Sequence, residues 1–204
     1  MTEFDAPSSP VPGGELGDIA SYHEDDGQGF QLLQDANIRR FAAYWDGLRG
    51  VRWAPARKEV DPLAIPWALP HVFIGDYEAD SGQFRYRVAG REIEAVFERY
   101  RGSSSLKGAA LSDILPAEQA AVVARRWGPL ATRGAIVYMR GWVYYSAGRA
   151  ARGERILLPL SDDGTAVSGF LGYTQCRWSS MAEIAEAPHV DIWRLSSGRP
   201  EPTL

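Results

Sequence analysis

Residues 71–90 read HVFIGDYEADSGQFRYRVAG. From His71 to Glu78 the run is rich in β-branched and aromatic residues, and Ala79-Asp80-Ser81-Gly82 is turn chemistry. Across Gln83 to Ala89, Phe84, Tyr86 and Val88 then alternate with Arg85 and Arg87. Period-two alternation on either side of a short turn specifies an antiparallel hairpin. Gly90 ends it, and Ile93, Val96, Phe97 and Tyr100 fall on one side of a short helix. A loop through Ser103, Ser104 and Ser105 leads past an apolar turn around Leu111 and Ile114 to a longer helix. That helix has Pro116 in its first turn, ends near Thr132 and carries an inner stripe of Ala120, Val123 and Trp127.

The last third returns to strands. Ala135 to Tyr145 alternates, with Val137, Met139 and Val143 on one face and Ile136, Tyr138, Trp142 and Tyr144 on the other. Glu154 to Ser161 and Thr165 to Gln175 flank Asp162-Asp163-Gly164, a hairpin signal, while Pro159 implies an edge or bulge. Ser180 with Glu183 resembles a capping box, and Val190 to Leu195 reads as an added strand or extended segment.

Upstream, Ile38, Phe41, Trp45 and Leu48 recur at helical spacing on a segment that stops at Gly50. Pro55, Pro62, Pro66 and Pro70 make the following stretch an extended connector. The first 29 residues hold Glu3, Asp5, Glu15, Asp18, Glu24, Asp25 and Asp26 with no Lys or Arg, and read as a disordered acidic tail. The expected organisation is therefore a tail over residues 1–29 and an amphipathic helix with its connector over 30–60. A folded domain over 61–176 and a C-terminal extension over 177–204 complete it. Two strands, helices and three further strands, in that order, give an α+β class.

Composition excludes several functions. The chain has 204 residues, 45% apolar and 24% charged, a globular balance that suits one domain with extensions. It contains no apolar run near the roughly 18 residues that span a bilayer, and no basic start with an apolar stretch, so the expectation is a cytoplasmic protein without a membrane partner. The lone Cys176 rules out an intramolecular disulfide and a cysteine-based zinc cluster. Of 22 basic residues only Lys58 and Lys107 are lysine, and all are scattered, so nucleic acid is not an expected partner.

The element order resembles a PAS domain. Ile38-Arg39-Arg40-Phe41, Asp61-Pro62-Leu63, Leu69-Pro70-His71-Val72-Phe73, Phe84-Arg85-Tyr86-Arg87-Val88-Ala89-Gly90 and Leu157-Leu158-Pro159-Leu160-Ser161 are similar to a family of small stand-alone bacterial PAS-like proteins. The similarity covers roughly residues 30–176. It implies a five-stranded antiparallel sheet with helices on one face and an N-terminal flanking helix. Such a sheet encloses a small-molecule pocket or a hydrophobic core, used in sensing or protein contacts without catalysis.

If a pocket exists, its lining is expected from Tyr86, Phe97, Trp127, Met139 and Leu158, with Tyr86 and the Trp127 indole as polar handles. For each of these, plain core packing is the simpler role. Phe41, Trp45 and Leu48 are expected to cover the aromatic face that includes Trp142, within one chain or in a symmetric homodimer. Expected partners are a small-molecule ligand and a signalling protein.

The cofactor stays unassigned. Residues 91–132 hold no histidine for haem, which leaves Tyr or Met ligation open, and Cys176 lies outside the region where flavin PAS domains place a reactive cysteine. The three histidines, His23, His71 and His189, lie far apart in sequence. A small α+β enzyme using His71 as its acid-base residue is the alternative, weakened because no nucleophile or carboxylate accompanies it at a recognised spacing. No phosphate-binding glycine loop, zinc motif or nucleophile elbow occurs.

Overall fold

A computed structural model describes residues 20–101, 105–146, 149–180 and 189–199. Residues 1–19 of the expected tail, Ser103 and Ser104, and the Glu183 half of the expected capping box lie outside them. The strands are β1 (Ala20–Glu24), β2 (Val72–Glu78), β3 (Gln83–Ala89), β4 (Ile136–Ser146), β5 (Arg149–Leu160), β6 (Gly169–Ser180) and β7 (Val190–Leu195). The helices are α1 (Ala36–Arg49), α2 (Arg91–Arg101), α3 (Leu111–Ile114) and α4 (Ala117–Arg133).

All seven strands form one sheet in the order β1-β7-β4-β5-β6-β2-β3. The five expected strands are β2 to β6, each pair among them antiparallel. Two more correct the expectation: β7 runs antiparallel to β4, and β1 pairs parallel with β7. The sheet is therefore mixed, and Ala20–Glu24 belong to it, not to the tail. A short edge strand whose partner lies at the far end of the chain leaves neither a hairpin turn nor a strong apolar alternation to read.

Both faces of the sheet are covered. Helix α1 lies against β5 and β6, while α4 packs on β4 and β5 from the other side and α2 joins it there against β4. We call the α1 side the outer face and the α2–α4 side the inner face. Asp35 starts α1, its carboxylate accepting from the amides of Asn37 at 2.8 Å and Ile38 at 3.0 Å. Ile38, Phe41, Ala42 and Trp45 are buried beneath it. The Trp45 indole donates to the Pro159 carbonyl at 2.9 Å. Proline is tolerated there because pairing with β4 ends at Leu157, leaving Pro159 on a local edge of an otherwise central strand.

Two bulges change which face a side chain meets. A register shift at Ile74/Gly75 leaves Arg87 as an extra residue in β3, so Phe84 and Tyr86 point inward while Val88 is 54% exposed. A shift between Trp142 and Tyr144 makes Val143 the extra residue of β4. Tyr144 thereby moves to the inner face, where it meets Phe97 of α2 with ring centroids 6.1 Å apart. The expectation that Tyr144 shares a face with Tyr138 and Trp142 is corrected accordingly, since one inserted residue inverts the alternation beyond it.

The connection between β5 and β6 is longer than the expected tight hairpin, with β6 starting at Gly169 instead of Thr165. Asp163 organises it by accepting from the amides of Thr165 at 2.8 Å and Ala166 at 3.0 Å. Asp162 instead pairs with Arg57, which also pairs with Asp76, and ties the proline-rich connector to the sheet. Inside, Phe73 lies across Gly172, its cross-strand partner; a Cβ at that glycine would sit 2.2 Å from the Phe73 ring. Gly172→Ala is expected to cost about 1–3 kcal/mol in urea unfolding, whereas Val51→Ala at a fully exposed site should change it by less than about 0.5 kcal/mol.

Candidate functional site

The inner face carries an aromatic layer closed by the helices. Phe73, Phe84, Tyr86, Trp127 and Phe170 surround one another, with Phe84 and Phe170 each 5.4 Å from the Trp127 ring. Four of the five expected lining residues meet this face: Tyr86 from β3, Phe97 from α2, Trp127 from α4 and Met139 from β4, all buried. Tyr86 stands 6.4 Å from Phe97 and 6.5 Å from Trp127. Leu158 departs from the expectation. It is the register partner of Leu171 and shares the outer face with Ile156 and Tyr173, so it lies across the sheet from the other four. The sequence placed the strand correctly but its pleat one residue out.

At the α2 end of this layer the environment becomes polar. Arg155 on β5 points inward and is only 6% exposed. Its Nε donates to the Thr174 hydroxyl at 3.0 Å, its Nη2 donates to the carbonyl of the bulged Val143 at 3.3 Å, and its guanidinium carbon stands 4.2 Å from the Tyr144 ring centroid. Burial pushes the Tyr86 hydroxyl upward in pKa, the charge of Tyr144 adds to the rise, and Arg155 opposes it. Cys176, half-buried beside this group, is likewise raised first by burial, against Arg155. The Trp127 indole N–H is buried without a hydrogen-bond partner among the described residues.

The outer face carries the opposite charge. Glu154, adjacent to Arg155 and 8% exposed, accepts with one carboxylate oxygen from the Tyr138 hydroxyl at 2.8 Å and from the amides of Gln34 at 3.2 Å and Asp35 at 3.1 Å. It thus anchors the residues that lead into α1. Phe41 and Trp45 are fully buried under α1, with Phe41 5.0 Å from the Tyr173 ring, while Leu48 is half-buried. Trp142 is buried on the same face of β4 opposite Arg152. Within one chain α1 lies over β5 and β6 of this face.

The histidines are arranged differently from their spacing in sequence. His71 is half-buried with its ring 5.7 Å from Tyr173, and among the described residues no carboxylate stands within ion-pair distance of it. His23 and His189 approach the same Asp191 carboxylate oxygen at 3.1 Å and 3.6 Å, His23 because β1 lies beside β7 and His189 because it is two residues away on the same segment. Among the described residues no cluster of three or more His, Cys, Asp or Glu is arranged to hold a metal ion. Nor, among them, is any helix long and apolar enough to cross a membrane.

Sequence reading missed Glu154 and Arg155. Their signal was present: two adjacent charges lead directly into Ile156-Leu157-Leu158, in a strand too apolar to lie at the surface. Buried charges of this kind need built partners.

Set against known proteins, residues 33–175 match the family model described as a PAS domain, a span that runs from just before α1 to Gln175 in β6 and leaves out β1 and β7. No curated protein and no solved structure matches the chain. The geometry makes Glu154→Ala costly, because it strands the Tyr138 hydroxyl and two amides. The loss expected in chemical denaturation is about 3 kcal/mol, with Tyr138→Phe costing about 1 kcal/mol and Glu154→Gln falling between wild type and the alanine variant.

Proposed function

The chain belongs to the PAS domain family, and from that premise we propose that it is a regulatory module without catalytic chemistry, which takes a small molecule on the inner face and passes the change to α1. The observation that carries this reading is the adjacency of Arg155 and Glu154 on β5. One reports on the aromatic layer beneath α2 and α4, the other holds the start of α1 on the opposite face. A central strand cannot tilt or slide by a fraction of a residue at Arg155 without carrying Glu154 with it. The family role in sensing and regulation is thereby given a physical route through the sheet, with a signalling protein that meets α1 as the recipient.

The docking alternative, in which a protein partner acts with no small molecule, draws support from the mutual ring packing of Phe73, Phe84, Tyr86, Trp127 and Phe170. The arrangement at the α2 end favours the ligand reading, since plain packing has no need of a guanidinium there. A catalytic role for His71 draws no support from its surroundings, which are the Tyr173 ring and backbone bonds to Ala68 and Thr174.

The test combines mass spectrometry of the small molecules released on denaturing the purified protein with hydrogen exchange at the Gln34 and Asp35 amides. A released molecule whose removal speeds exchange at both amides is the expected result. A protein that is empty as purified, with exchange unmoved by a cell's pooled metabolites, would overturn the reading.

A further inference from the structure

We propose that the acidic segment preceding β1 lies across the outer face near the start of β5, where Glu15 and Asp18 meet Arg152 and Arg177. The inference goes beyond the sensory reading and does not depend on a ligand.

The argument begins with an opposition of like charges. Arg152 on β5 and Arg177 on β6 are register partners and both are exposed. Each lies on the outer face, two residues from Glu154 and Gln175 respectively. Like charges directly opposite one another on a sheet face repel. Trp142 of β4 flanks Arg152 on its other side, and Arg140 follows on the same face with its guanidinium carbon 4.8 Å from the Trp193 ring centroid. Helix α1 runs away from this stretch: Gln34 and Asp35 at its start are held by Glu154, and Trp45 further along is bound at Pro159. Two acids on the stretch are already engaged. Glu154 accepts from Tyr138 and two amides, and Asp191 faces His23 and His189. Among the described residues no carboxylate stands within ion-pair distance of Arg177.

The second observation is where the chain enters the sheet. Ala20, the first residue of β1, pairs with Val190, and Val190 pairs with Gly141, the neighbour of Trp142. The segment before Ala20 therefore meets the sheet at the same end as the arginine pair. It stands three strand spacings from β5 and four from β6, about 14 and 19 Å. An extended chain advances roughly 3.3 Å per residue, which brings Asp18 and Glu15 within reach of both arginines. The segment holds Glu3, Asp5, Glu15 and Asp18 with no Lys or Arg, so it carries the sign of charge that this part of the face lacks. Exposed ion pairs are individually weak. A tethered segment, however, meets its site at a high effective concentration.

The experiment is a mutant cycle on the full chain, read by thermal melting at low salt. In the wild-type background Arg177→Gln should lower the melting temperature by about 1–3 °C. In the Glu15→Gln/Asp18→Asn background the same change should raise it, because repulsion from Arg152 then dominates. High salt should remove the difference between the two backgrounds. The second readout is independent of stability: the nuclear magnetic resonance shift of the Arg177 Nε–H should move on Glu15→Gln/Asp18→Asn and stay in place on Glu183→Gln/Glu186→Gln. An effect of Arg177→Gln that is equal in both backgrounds, with an unmoved Nε–H, overturns the assignment. If the Glu183→Gln/Glu186→Gln background reverses the sign instead, the counter-charge comes from the connection between β6 and β7 and the proposal is wrong. A difference that grows with protein concentration would place the segment on a second copy, which also contradicts it.

Discussion

A strand in the middle of a sheet that is covered on both sides sends successive side chains into two separate interiors, and β5 does so with neighbouring charges of opposite sign. Glu154 is fixed by a phenol and two amides before α1; Arg155 is fixed by a hydroxyl, a bulge carbonyl and an aromatic ring beneath α2. A slip of one residue would place the carboxylate among the rings and the guanidinium against α1, leaving both without partners. Register is therefore enforced by charge satisfaction as well as by the apolar residues Ile156, Leu157, Leu158 and Leu160, which are completely buried. Helices α1 and α4 both lie against this strand, from its opposite faces.

Much of this was legible before any coordinates. The hairpin across residues 71–90, the helical spacing of Ile38, Phe41 and Trp45, and the strand-rich last third all carry local periodicity, and local periodicity survives into the fold. What could not be read was non-local. The edge strand β1 exists because β7 is there to pair with, and the approach of His23 to Asp191 follows from that pairing.

The errors within correctly placed strands have a single cause. Alternation predicts faces only while every residue has one partner, and the extra residues Arg87 and Val143 break that rule. Val88 consequently faces solvent and Tyr144 turns inward. Leu158 was misjudged for a related reason: a strand buried on both faces is apolar on both, so hydrophobicity cannot say which side is which. Glu154 and Arg155 resolve that ambiguity, because each charge can be satisfied on only one face. The PAS family assignment supplies the class of module. The chemistry of its inner face belongs to these particular residues.

The most direct measurement of the central claim is solvent exchange of the Arg155 Nε–H by nuclear magnetic resonance near neutral pH. With β5 seated as described, that proton donates to Thr174 inside the sheet–helix layer and should exchange far more slowly than the Nε–H of the exposed Arg91. Exchange at the rate of an exposed arginine would mean that Arg155 reaches solvent, and the account built on two oppositely facing buried charges would be contradicted.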